Sequence, residues 1–261
     1  MRVRLFHVDA FTGQRFRGNP AAVMPLEDFP ADAVMQQIAA ENNLSETAFI
    51  VPQGDDYQLR WFTPSVEVPL CGHATLASAA VVMERLHPER QRVIFHTASG
   101  ALIVKRAATA YVMDFPARPV APLSAPPELA AALGVTPVEV HANDVNYVAV
   151  LHDERAVIEL SPDIPAIARL NRSGLIVTAE GTGDRDIVSR YFTPARGVAE
   201  DPVTGSAHCA LAPFWSQRLG KSELRAYQAS RRGGEMTCRI RGQRVELEGT
   251  CVFYLEGIAD L

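Results

Sequence analysis

One stretch of sequence occurs twice in this chain, and the repeat restricts what the chain can fold into. The first copy reads WFTPSVEVPLCGHATLASAA, from Trp61 to Ala80, and the second YFTPARGVAEDPVTGSAHCALA, from Tyr191 to Ala212. Trp61 aligns with Tyr191, Pro64 with Pro194, Gly72 with Gly205, His73 with Ser206 and Ala74 with Ala207. Solenoid repeats recur every roughly 20–50 residues. Two copies this far apart predict a duplicated lobe instead.

Each copy has the same physical reading. The residue before proline is pushed out of the helical region, so WFTP and YFTP end extended segments. The Gly-X-Ala that follows starts a helix. Ala74 to Met83 carries hardly a polar residue, which predicts a helix buried on nearly all sides. The second helix, from about Ser206 to Arg218, is also apolar for most of its length. A buried helix start leaves backbone N–H groups without partners and a partial positive charge. Glycine lets a ligand approach the backbone closely. Gly72 and Ala74 in one half, and Gly205, Ser206 and Ala207 in the other, are therefore expected to bind an anionic substrate group. If the lobes face each other, the two helix mouths meet in one cleft.

The rest of the chain reads mainly as strands. Val3–Phe11 alternates polar and apolar residues, and Ala21–Met24, Thr47–Val51 and Tyr57–Phe62 follow. A helix is expected over about Ala31–Asn42, with Val34, Met35 and Ile38 as its apolar stripe. In the second half, Val157–Leu160 reads as a strand, while Glu128–Leu133 and Pro165–Leu170 read as short helices. Five prolines between Pro116 and Pro127 mark the linker, so the lobes are expected at 1–116 and 117–261, with the last strands free to return to the first lobe. The βαβ alternation of a doubly wound sheet does not show. The fold class is therefore α+β: two pseudo-symmetric lobes, each a strongly curved, mostly antiparallel sheet or barrel around a central apolar helix.

Composition removes several function classes. Of 261 residues, 48 per cent are hydrophobic, enough for a large core. Net charge is −5 and no basic cluster stands out, which argues against nucleic acid or an anionic membrane as partner. A small anionic substrate remains compatible, because a local field can oppose the net charge. No leader sequence and no apolar run of spanning length is evident. Four cysteines without CxxC spacing do not make a disulfide framework. A soluble, cytoplasmic protein is the expectation.

Few residues are placed to do chemistry. Glu46 opens an otherwise apolar strand and reads either as a general base or as part of a solvated turn. His73, at the first helix mouth, reads either as a partner for a bound anion or as a locally bonded core histidine. Asp201 stands five residues before Ser206. It reads either as an acceptor for a substrate amine or hydroxyl, or as part of an ordinary capped helix start with Thr204 or Ser206 as cap. Cys71 precedes Gly72, and Cys209, Cys238 and Cys251 read as core. The histidines are scattered and form no HExxH or tight His/Cys/carboxylate cluster, so no metal site is expected.

Together these residues resemble the PhzF family of phenazine-biosynthesis-type isomerases, whose fold is similar to that of diaminopimelate epimerase. The resemblance rests on Asp9-Ala10-Phe11, Gly18-Asn19-Pro20, Asn43-Leu44-Ser45-Glu46-Thr47, Leu70-Cys71-Gly72-His73-Ala74 and Glu200-Asp201-Pro202-Val203-Thr204-Gly205-Ser206-Ala207. It implies a cofactor-free homodimer with its site between the lobes. The activity implied is like the isomerisation of trans-2,3-dihydro-3-hydroxyanthranilate, with Glu46 as general acid and base. His73, Asp201 and Ser206 are implied to bind the amine and carboxylate and to assist proton transfer. Related racemases need a second cysteine where this chain has Thr204. The family often has glycine after Gln228, whereas this chain has Ala229-Ser230, so that loop is expected to reshape substrate contacts.

Overall fold

The computed structural model describes residues 2–261, which form two compact units. One comprises residues up to Asp114 together with Glu248–Leu261, and the other Phe115–Leu247. The division falls at 114/115, and the last strand belongs to the first unit.

In the first unit the order is β1 (Arg2–Ala10), β2 (Asn19–Pro25), α1 (Asp32–Asn42), β3 (Glu46–Gln53), β4 (Asp56–Phe62), β5 (Glu67–Val68), α2 (Gly72–Val81), β6 (Arg92–Thr97), β7 (Gly100–Ala107) and β8 (Ala110–Pro116). The second unit has β9 (Ala121–Pro122), α3 (Pro127–Leu133), β10 (Glu139–Ala142), β11 (Asn146–Val150), α4 (Glu154–Ile158), α5 (Ile164–Ala168), β12 (Gly174–Glu180) and β13 (Ile187–Thr193). It continues through β14 (Val198–Asp201), α6 (Gly205–Leu219), β15 (Glu223–Gln228), β16 (Gly234–Arg241) and β17 (Arg244–Gly249), and β18 (Cys251–Asp260) pairs with β1.

The two units repeat one topology. In the first, β2 and β3 are parallel across α1, and β4 and β6 are parallel across α2. In the second, β11 pairs parallel with β12 across α4 and α5, and β13 with β15 across α6. Antiparallel pairs join β1 to β2, β3 to β4 and β6 to β7, and likewise β10 to β11, β12 to β13 and β15 to β16. Each unit thus adds parallel pairs across helical crossovers to the mostly antiparallel pairing that the sequence predicts. Helical crossovers cover these strands on both faces. Accordingly every residue of β11 is buried, and the alternation that marks a half-exposed strand is lost.

Each sheet wraps an inner helix and carries others outside. All of His73–Val81 in α2 is buried, and α2 packs on β1, β2, β3 and β18. At about 1.5–3 kcal/mol for a fully buried leucine or valine, this one helix anchors the unit. Two polar side chains inside it are satisfied locally. Thr75 Oγ1 donates to the Cys71 carbonyl at 2.6 Å, and Ser78 Oγ to the Ala74 carbonyl at 2.7 Å. Outside, Met35 and Ala39 of α1 join Val3, Met24, Phe49, Val51 and Phe62 in a second core. Val34, expected in that stripe, is 40 per cent exposed.

The segment expected as a strand over Val157–Leu160 is instead entered by α4. Asp153 caps it, its carboxylate accepting from the Ala156 N–H at 2.7 Å. Val157 then faces the outer core of the second unit with Leu129, Leu133 and Ile167.

Candidate active site

Strand periodicity decides where Glu46 points. Phe49 and Val51 of β3 lie in the outer core against α1. Side chains alternate along a strand, so Glu46, Ala48 and Ile50 project to the opposite face, where α2 packs. Glu46 is the first residue of β3 and pairs with Ala21 of β2. It does not belong to a solvated turn, its side chain being 17 per cent exposed.

His73, the second residue of α2, meets it there. His73 Nε2 lies 3.0 Å from Glu46 Oε2. Both atoms are shielded from solvent, and the contact lies off the axis of a well-formed hydrogen bond, so neither atom is fully satisfied. On the other side of the ring, Nδ1 lies 3.5 Å from Cys71 Sγ. Burial pulls the imidazole down, and the Glu46 carboxylate at Nε2 pulls it back up, leaving the ring above the usual histidine value. Burial, with the Glu46 charge, pushes the Cys71 thiol up to about 11, so it is a thiol near neutral pH.

Glu46, Cys71 and His73 thus form the tight His/Cys/carboxylate cluster that spacing in the sequence did not show, with one donor atom of each within 4.8 Å of the others. The Cys71 thiol lies near Nδ1 and the Glu46 carboxylate near Nε2 of the one imidazole, which corrects the expectation that no such cluster forms.

No side chain caps the start of α2. Cys71, in extended conformation (φ −142°, ψ 113°), precedes Gly72, and neither a capping side chain nor an acidic residue occupies the first turn. Gly72, His73 and Ala74 therefore present the positive end of the helix beside the Glu46 carboxylate.

The second unit builds a different arrangement at the matching place. Thr204 precedes Gly205 in extended conformation (φ −120°, ψ 99°), again without a side-chain cap or an acidic first turn. Its hydroxyl donates to Asp201 Oδ2 and accepts from no helix N–H, so the ordinary-cap reading of Thr204 does not hold. Ser206 is exposed, while Gly205 and Ala207 are buried. Gln228, 1 per cent exposed, bonds both Thr204 and Asp201, a role the sequence alone did not signal.

The register shows how far the duplication extends. Phe62 pairs with Thr47, and its repeat partner Phe192 pairs with Leu175. One residue earlier, Glu46 corresponds to Gly174. The counterparts of Cys71 and His73 are Thr204 and Ser206. The carboxylate, imidazole and thiol therefore belong to one copy alone.

Comparison with known proteins shows the family of the chain. A family model described as phenazine biosynthesis-like protein matches residues 8–257. The chain belongs to the PhzF family. An uncharacterized isomerase of Pseudomonas aeruginosa is 49 per cent identical over 257 residues, covering 98 per cent of both chains. Mouse phenazine biosynthesis-like domain-containing protein 1 is 44 per cent identical over 284 residues, covering 98 per cent of this chain and 99 per cent of the relative. The crystal structure of a PhzF family protein from Enterococcus faecalis superposes with a TM-score of 0.97 at 44 per cent identity, covering all of both chains. No helix among the described residues is long and apolar enough to cross a membrane.

Proposed function

We propose that this PhzF family protein is a cofactor-independent isomerase that moves a proton, and with it a double bond, on a small carboxylic acid. Glu46 is the general base and acid. The observation that carries this reading is the 3.0 Å contact of Glu46 Oε2 with His73 Nε2 at an uncapped helix start. A base that takes a proton from carbon needs close placement away from bulk water. The burial of Glu46 against His73 supports this role, and the raised His73 ring supplies a cation that steadies the carboxylate and passes a proton on. The helix-start amides of Gly72, His73 and Ala74 stabilise negative charge as it spreads over the substrate. Asp201 accepts from the substrate amine. Gly205, Ser206 and Ala207 hold the substrate carboxylate through backbone N–H groups and the serine hydroxyl. The active molecule is a homodimer in the cytoplasm.

Related isomerases support the reaction class. They are named as isomerases in Pseudomonas aeruginosa and Halalkalibacterium halodurans at 49 and 45 per cent identity. An epimerase reading based on Cys71 is disfavoured by two observations. The thiol is held at about 11, and Thr204 stands where the second thiol would be.

Solvent deuterium incorporation tests the proposal. With trans-2,3-dihydro-3-hydroxyanthranilate in D2O, the wild type should exchange and Glu46→Gln should not. Exchange that survives Glu46→Gln but is abolished by Cys71→Ser would replace the isomerase reading with the epimerase one. No exchange by the wild type would favour a silent binding protein of this fold.

A further inference from the structure

The carboxamide of Gln228 is buried at the end of β15, and all three of its hydrogen bonds go to the segment that enters α6. The Thr204 N–H donates to Gln228 Oε1 at 2.9 Å. A backbone N–H can only donate, so this bond fixes which way the amide is turned. Gln228 Nε2 then donates to the Asp201 carbonyl at 2.7 Å and to Thr204 Oγ1 at 3.2 Å. A hydroxyl that accepts from an amide must turn its own hydrogen elsewhere. That of Thr204 goes to the Asp201 carboxylate.

The arrangement is specific to this copy of the repeat. A serine brace is shared: Ser99 Oγ donates to the Pro69 carbonyl at 2.7 Å, and Ser230 Oγ to the Pro202 carbonyl at 2.8 Å. The residue two before each serine is not shared. Thr97 bonds only within its own turn, to the Gly100 carbonyl, where the second copy has Gln228.

We propose that Gln228 is a positioning residue: it aims the Thr204 hydroxyl at Asp201 and so fixes the direction in which the Asp201 carboxylate is presented. Gln228 acts through Thr204 and touches no substrate. The kinetic consequence rests on the reading of Asp201 as a substrate contact, while the bond polarity itself does not.

Gln228→Glu tests the polarity with almost no change of shape. A carboxylate accepts from both the Thr204 N–H and the Thr204 hydroxyl, which takes the hydroxyl hydrogen away from Asp201. In protein labelled with 13C-aspartate, the Asp201 carboxyl signal, assigned by its loss in Asp201→Asn, should move in Gln228→Glu in the direction in which Thr204→Val moves it. Thr204→Ser should keep it in place, and the double variant Gln228→Glu/Thr204→Val should add nothing to Thr204→Val alone. An Asp201 signal unmoved by Gln228→Glu overturns the proposal, as does full additivity. Should Gln228→Glu not fold, Gln228→Met, which lacks all three bonds, must shift the same signal, and no shift overturns the proposal. With trans-2,3-dihydro-3-hydroxyanthranilate as probe, Gln228→Glu should raise KM about tenfold and leave kcat within about threefold, the pattern of weakened binding. Exchange retained by Glu46→Gln would remove the catalytic reading, and the spectroscopic result would still decide the part played by Gln228.

Discussion

Glu46 and His73 come from separate elements, the first residue of β3 and the second of α2, and their side chains meet at 3.0 Å with both polar atoms sealed from water. A carboxylate so placed is costly unless the imidazole beside it carries charge. On the proposed function this pair carries the proton, and the consequences can be measured.

Replacing the carboxylate should separate chemistry from folding. Glu46→Gln keeps the shape and removes the base. Solvent exchange should fall at least about a thousandfold, within the range seen for loss of a positioned base. Thermal unfolding followed by circular dichroism should show the fold retained.

Cys71 should be chemically quiet. Burial holds its thiol at about 11. Iodoacetamide at pH 7.5 should leave Cys71 unmodified in the native protein and label it after unfolding, read by peptide mass spectrometry. Cys71→Ser should keep exchange within about fivefold, as expected for a residue that flanks the acid–base pair without replacing it.

His208 gives the protein a stability that depends on acidity. It is fully buried, and burial pushes it down to about 4 from 6.5. Its Nδ1 donates to the Thr204 carbonyl at 2.8 Å. The unfolded chain takes up a proton below 6.5 and the folded one does so only near 4, so the stabilisation is whole above 6.5 and is lost as pH falls toward 4. The loss is of order roughly 3 kcal/mol. Urea unfolding between pH 7 and 4 should show this slope, and His208→Asn, which retains a donor for Thr204, should flatten it.

The cap on α4 should be worth its usual amount. Asp153→Ala removes the acceptor for the Ala156 N–H and should cost about 1 kcal/mol in denaturant unfolding. Asp153→Asn should restore most of it.

Much of this protein can be read directly from its residues, because the informative signals are local. The Gly-X-Ala helix starts, the apolar run after His73 and the Asn42-Asn43 helix stop each act over a few residues, and α2, α6 and α1 lie where those signals predict. Asn43 closes α1 in the left-handed region at φ 47°. What was not legible depends on distant partners. β11 reads as a plain apolar run, and only its pairing with β12 across a helical crossover makes the sheet mixed. Val157 reads equally well in a short strand or a short helix, and the Asp153 cap decides for the helix. Glu46, Cys71 and His73 are 25 and 2 residues apart in turn, so no spacing rule links them. Gln228 carries no local signal, since its bonds reach a segment more than twenty residues away.

The pairing of β18 with β1 has a consequence for synthesis on the ribosome. The second unit is one continuous run of chain, 115–247, whereas the first has its outermost partner strand encoded at the far end. The unit that carries Glu46 and His73 therefore stays incomplete while the whole of the second unit is made, and β1 gains this partner only once β18 has emerged.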